Sequence, residues 1–341
     1  MAGSRRVSIK DVAREAGVSV TTVSHALNGK GRLNPETRER VRGVAARLGY
    51  APNPAARSLV SGRTGLIAVM ASLPAEPRVE FADFGYLTAL IAAATGVTVA
   101  RDRALVVAPP STNGFVWDRV PVDGVIVIDP MVGEPALPAL RERDMPFVTI
   151  SADPAGSESD AVVASEDIDA TCAILDHFLE RGAKRVALLT VPPINAFLQH
   201  TADAYVAWCE RRDQRILLEF VDLREIERQQ EQALRDCVDR LLDREDPPDA
   251  IYAPLELVGV AVARIVLAKG WGIPEHVLFA TTHDAGRAAN AEPPITTIEW
   301  NYEEVGTRAA TLLLDILDGA RSAPCVELVP GRVVARTSTA P

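Results

Sequence analysis

From residue 8 the apolar positions repeat with a helical period. Ile9, Val12, Ala13 and Ala16 fall at i, i+3, i+4 and i+7, one face of a helix. Ser8 and Asp11 have the spacing of a capping box at its start, and Gly17 suits the left-handed residue at its end. Ser19 can cap a second helix, with Thr22 behind it, in which Val23, Ala26 and Leu27 face the first. Asn34-Pro35-Glu36 then opens a third helix as cap and first position, with Val41, Val44, Ala45 and Leu48 as its buried face and Gly49 as its stop. Asn53-Pro54 repeats the cap-and-proline signal, but only about six residues follow before Ser61-Gly62. A helix that short is marginal in water because nucleation is costly.

After Gly65 the period changes. Apolar runs predict strands at 66–73, 104–108, 122–129, 147–151, 185–190, 216–222, 250–253, 277–281 and 295–298, with two short ones at 326–329 and 332–335. Amphipathic stretches at 84–94, 136–143, 167–181, 196–212, 226–242, 255–269 and 302–319 predict helices. The proline-rich run 108–124 leaves little room for a full helix. Alternating strand and helix means parallel sheets covered on both faces. About 275 residues of this exceed one comfortable sheet, so two lobes are expected. Ligands of such sheets sit beyond the carboxyl ends of the strands. The candidates there are Ser72, Leu73, Asp129, Ser151, Thr190, Val191, Pro254 to Glu256, and Thr282 to Asp284, including His283. Glu166, Asp167 and Asp169 open a helix, where complementing its dipole is the plainer role. Trp300 can stack on a flat ring or sugar face, or serve as a hinge core residue.

Charge sharpens the division. The net charge is −10, yet residues 1–63 hold 12 Lys/Arg against 4 Asp/Glu, while the rest hold 24 against 42. A basic head on an acidic body points to a polyanion held at one end. On the second helix Thr21, Ser24, His25 and Asn28 form a stripe of short polar side chains. An ordinary surface helix carries long charged ones. Short hydroxyl, amide and imidazole groups allow close approach to base edges and phosphates; the competing structural explanation is an unrelated hairpin with a bland polar face. No run of about 18 apolar residues appears, so no membrane span is expected. MAGSRRVSIKD carries no apolar signal segment. Cys172, Cys209, Cys237 and Cys325 lack metal or redox spacing and are expected to stay reduced in a cytoplasm. No dinucleotide, Walker, nucleophile-elbow or zinc-protease motif occurs, and the histidines are scattered, so neither enzyme nor cofactor is expected.

The chain resembles the LacI/GalR family of bacterial repressors. IKDVAREAGVSVTTVSHALN, NPETRERV and LGYAPNPAARSL carry the resemblance, followed by PDAIYA and PPITTIEW. It implies an all-α helix-turn-helix head (1–50), a hinge helix (51–63) and an α/β two-lobed, type I periplasmic-binding-protein-like body (64–341). The first lobe would span about 64–165 and 300–324, the second 166–299 and 325–341, with crossings near Ala164, Trp300 and Pro324. It further implies a homodimer or tetramer on a palindromic operator in double-stranded DNA, in the bacterial cytoplasm and nucleoid, with a sugar or nucleoside effector in the cleft. Val20, Thr21 and His25 would read bases. Ser19, Thr22, Ser24, Asn28 and Asn53 would position phosphates, and Ala56 and Leu59 of the hinge would enter the minor groove. That hinge is expected to fold only when paired with its twin on DNA.

Asp129, Asp167, Thr201, Glu256, His283 and Trp300 are the candidate effector residues. The sequence departs from the family at several of them. Thr201 stands where an arginine is common, four residues before Tyr205; His283-Asp284 replaces a pair of aspartates; Glu256 replaces a frequent aspartate. These departures put a simple sugar in doubt and leave open control by a protein partner. A metabolite-binding or enzymatic protein is the remaining alternative.

Overall fold

The computed structural model describes residues 7–28, 32–50, 62–72, 85–108, 114–157, 159–222, 232–282 and 286–340. Contacts divide the chain into two compact units, Met1–Gly65 and Leu66–Pro341.

In the first unit lie α1 (Ile9–Ala16), α2 (Val20–Asn28) and α3 (Pro35–Arg47). The Asp11 carboxylate reaches back to the Ser8 N–H (3.0 Å) and accepts from its hydroxyl (2.6 Å). Gly17 ends α1 at φ +64°, a backbone that residues with a Cβ avoid. Asn34 Oδ1 accepts from the Glu36 N–H at 3.0 Å, and Pro35 takes the first turn of α3. The three helices bury Val12, Val23, Ala26 and Val41 completely. With so small a core, loss of one of these contacts is a large fraction of the unit's stability.

The second unit runs β1 (Leu66–Ala71), α4 (Gly85–Ala100), β2 (Ala104–Ala108), a 3₁₀ turn (Val116–Asp118), β3 (Gly124–Ile128), α5 (Ala136–Glu142), β4 (Phe147–Ile150) and β5 (Ala161–Ser165). It continues with α6 (Asp167–Glu180), β6 (Val186–Thr190), α7 (Ala196–Arg211), β7 (Leu217–Phe220), α8 (Gln232–Leu242), β8 (Ala250–Ala253), α9 (Glu256–Ala268), β9 (Leu278–Thr282) and β10 (Thr296–Trp300). It ends with α10 (Tyr302–Leu317), β11 (Cys325–Val329) and β12 (Gly331–Val334).

These strands build two six-stranded sheets, ordered β11-β5-β4-β3-β1-β2 and β12-β10-β9-β8-β6-β7. All pairings are parallel except β12 on β10. Helices cover both faces of each sheet. In the first lobe α4 and α10 form one core layer with Ile67, Ile126 and Leu313, while α5 and Trp117 form the other. In the second lobe α8 and α9 pack on one face, α6 and α7 on the other. Each fully buried aliphatic side chain contributes on the order of 1.5–3 kcal/mol, so these layers dominate the stability of the body. Close helix–sheet approach explains Gly259: a Cβ there would lie 2.6 Å from Thr281 Oγ1.

The chain crosses between lobes at Glu166, Asn301 and Pro330. The third crossing corrects the position expected near Pro324. β11 pairs with β5 in the first sheet, so residues 325–329 belong to the first lobe and only β12 enters the second. The crossings are tied together. Glu166 N–H donates to the Val329 carbonyl at 3.0 Å, and the Trp300 ring lies against Gly331, where a Cβ would approach it to 2.4 Å. Other expectations shift as well. β5 has no counterpart in the predicted strands, α4 runs to Ala100 rather than residue 94, and Trp300 closes β10 instead of following it. Within 108–124 the described structure is one 3₁₀ turn. Of the helix expected over 226–242, Gln232–Leu242 is helical and 226–231 lie outside the described residues.

Candidate functional site

The head presents its stripe on α2. Val23 and Ala26 anchor the helix from beneath. Ser19, Val20 and Thr21 are exposed, and Thr22, Ser24 and His25 are half-buried on the outer side. Ser19 Oγ accepts from the Thr22 N–H (3.1 Å) and lies 2.9 Å from the Thr22 hydroxyl, so these two side chains brace the N-terminus of the helix. Backbone N–H groups at such a terminus favour an anion such as phosphate. Asn28 is the last residue of α2. Elsewhere in the head Lys10, Arg32, Arg40 and Arg42 are exposed and, among the described residues, make no ion pair. Asn53, Ala56 and Leu59 lie outside the described residues.

The body holds a second constellation, where the strand ends of its two lobes meet. Asp129 follows β3 with a left-handed backbone (φ +48°), its N–H held by the Ile150 carbonyl at 2.8 Å. Ser151, after β4, is also left-handed at φ +73°. Non-glycine residues in that region carry local strain, which a functional role can justify. The Tyr86 hydroxyl of α4 donates to Asp129 Oδ2 at 2.7 Å, and the rings of Tyr86 and Tyr302 lie 5.3 Å apart. Burial lifts the Asp129 carboxyl from 3.8 to about 6, against the Tyr86 hydrogen bond and assisted by the charge of Asp167.

Across the cleft Asp167 is buried at the start of α6, 3.2 Å from Nδ1 of His200 on α7. Burial raises the Asp167 carboxyl, and the hydrogen bond to Asp167 raises the His200 imidazole. Glu256, buried at the start of α9, accepts from the N–H groups of Arg287 (3.1 Å) and Ala288 (3.0 Å). Tyr302 sits within electrostatic reach of all three carboxylates; its phenol is pushed well above the usual range by burial first and by Asp129, Asp167 and Glu256 after it. The lobes also touch directly. Val132 N–H donates to the Ile194 carbonyl at 2.8 Å, and Met131 bridges to Asn195.

Among the described residues the buried hydroxyls of Thr190 and Thr201 and the Trp300 indole N–H have no hydrogen-bond partner, whereas the Tyr252 hydroxyl is shared with Thr282 and Thr171. Native interiors rarely leave such groups unpaired, and a ligand is one way to satisfy them. Phe197 meets Trp300 edge-on at 6.4 Å and adds an apolar wall.

Comparison with known proteins covers both units. Residues 8–53 match the family described as bacterial regulatory proteins, lacI family, and residues 175–339 match the periplasmic binding protein-like domain. The HTH-type transcriptional regulator CelR of Thermobifida fusca is 29% identical, over 98% of this chain and 98% of its own. The chain belongs to the lacI family of bacterial regulatory proteins. Among solved structures, a CelR–cellobiose complex superposes with a TM-score of 0.73 at 24% identity, covering 98% of this chain and 100% of that one. A lac repressor dimer bound to operator and the anti-inducer ONPF superposes with a TM-score of 0.78 at 21% identity, covering 98% and 99%. As a lacI-family member the chain is a DNA-binding transcriptional regulator with a two-sheet α/β body. The relatives named above are regulators and not enzymes. No described helix is long and apolar enough to cross a membrane.

Within this family member, Asp129, Asp167 and Glu256 lie within electrostatic reach of Tyr302, while His283 and Asp284 lie outside the described residues. Thr201 is buried beside His200, and Trp300 lines the hinge side. One sequence expectation changes. Asp167 is engaged with His200 as well as with the dipole of its helix. Tyr205, aligned with a family aromatic, is a core residue: its hydroxyl donates to the Val186 carbonyl (2.9 Å) and accepts from the Leu217 N–H (2.8 Å). His177 is structural too, 2.8 Å from the Thr339 hydroxyl. Sequence reasoning missed Tyr86, His200, Tyr252 and Tyr302. Tyr252 left one signal: a tyrosine inside the fully buried strand AIYA needs somewhere to place its hydroxyl.

Proposed function

We propose that this regulator is an effector-controlled repressor that binds a palindromic operator as a homodimer. The observation that carries the reading is the outer face of α2, where short polar side chains occupy the positions that long charged ones fill on an ordinary surface helix. Thr21, His25 and Val20 read base edges in the major groove, and Ser19, Thr22, Ser24 and Asn28 set the helix on phosphates. Asn53, Ala56 and Leu59 continue into the central minor groove, where paired leucines wedge a base step.

A homodimer is supported by α4, which carries no charged residue over its whole length and leaves Val99 60% exposed, next to the half-exposed Val107 of edge strand β2. Such a face is costly in water and suits a second copy. Effector control is supported by the unpartnered polar atoms of the cleft, which favour a small hydroxylated molecule over a protein partner. Its binding biases the angle between the lobes and so the operator affinity of the dimer.

Selection of bound sequences from a random DNA pool tests this reading. A palindrome should emerge, and Leu59→Ala should weaken binding to it at least about tenfold while sparing non-specific affinity. Equal binding of wild type to random DNA would overturn specific readout.

A further inference from the structure

We infer that the molecule taken by the cleft is a hydroxyl-rich frame bearing a protonated amine, an amino sugar or aminated polyol, with its nitrogen seated against Asp129. This rests on the cleft being the effector site. Charge is the first ground. Asp129, Asp167 and Glu256 each lie within electrostatic reach of Tyr302, and among the described residues no Lys or Arg side chain pairs with any of them. Asp167 has His200, and Glu256 has two peptide N–H groups. Asp129 has one phenol on one oxygen, against about four acceptor sites on a carboxylate. An anionic ligand would meet three carboxylates, and position 201 offers it a threonine hydroxyl.

The second ground is independent of charge. Thr190 and Thr201 are at most 1% exposed and Trp300 is 6% exposed, yet their polar side-chain atoms have no partner among the described residues. They mark the places where ligand hydroxyls would donate and accept. The faces of Tyr86 and Tyr302 beside Asp129 add electron-rich surface for an ammonium group. No three described His, Cys, Asp or Glu side chains are grouped to hold a metal ion.

The test uses the full-length protein and matched probes: glucosamine, galactosamine and mannosamine, each beside its parent sugar, its N-acetyl derivative and the corresponding uronic acid. At least one amine should raise the melting temperature. By titration calorimetry it should bind about tenfold or more tightly than its neutral and acidic counterparts, the worth of one charge-assisted hydrogen bond. Asp129→Asn should erase that preference, and Thr201→Val should weaken amine and parent sugar alike. Failure of every amine to bind, a preferred neutral or acidic probe, or an amine preference that survives Asp129→Asn would overturn the inference. A neutral sugar that changes operator affinity would sink the amine and leave the effector-controlled repressor standing; loss of operator recognition itself would sink the latter.

Discussion

Asp129→Asn should stabilise the free protein at neutral pH and leave it unchanged in acid. The folded protein raises this carboxyl from 3.8 to about 6 because burial opposes its charge. Below pH 3.8 the group is protonated in both folded and unfolded chains, and the substitution has nothing to relieve. Between 3.8 and about 6 the folded chain keeps a proton that the unfolded chain has lost, so wild-type stability falls as pH rises. Above about 6 the loss is complete. The climb corresponds to about 3 kcal/mol at most. Asp129 keeps some surface open to cleft water, which screens part of that cost, so about 1–3 kcal/mol is expected. Asparagine retains an oxygen to accept from Tyr86, so the hydrogen bond is not the variable. Urea denaturation of both proteins at pH 4 and pH 7.5, without ligand, reads the difference. The asparagine variant should have the higher midpoint at pH 7.5 and the same midpoint at pH 4. A gap of equal size at both pH values, or a less stable variant at pH 7.5, would refute the burial argument.

Other perturbations address the remaining parts. Thr21→Ala and His25→Ala should each relax base preference in a selection from random DNA, at a cost of about 1–3 kcal/mol per lost base contact, with the salt dependence of binding unchanged. Val23→Ala, at a fully buried head position, should cost about 1–3 kcal/mol and selectively broaden amide exchange in residues 8–50. Gly331→Ala forces a carbon into the Trp300 ring and should cost about 1–3 kcal/mol of body stability, read by melting with tryptophan fluorescence.

The head was legible in the sequence because its signals are local. The Asn34-Pro35 cap, Gly17 and the Ser8–Asp11 pair act within four residues, and each formed as its spacing implied. The alternation of the body was legible because buried parallel strands read as apolar runs. What stayed hidden depends on distance along the chain. Tyr86 meets Asp129 across 43 residues and Asp167 meets His200 across 33, and nothing local announces either pair. The misplaced third crossing has a different cause. Strands 325–329 and 331–334 look like one hairpin around Pro330, yet each joins a different sheet. Strand β5 was missed because AVVAS is short and follows a Ser/Asp-rich stretch.

The bonded strand crossings set the mechanics of the body. Glu166 is fastened to Val329, Trp300 is laid against Gly331, and Val132 is held to Ile194 away from the crossings, so shear of one lobe on the other breaks a bond or a packed contact. Turning about the crossings spares the first two of these and strains only the third. A guest seated between Asp129 and Asp167 would therefore work on a lever, its fit against each lobe converted into an angle between them.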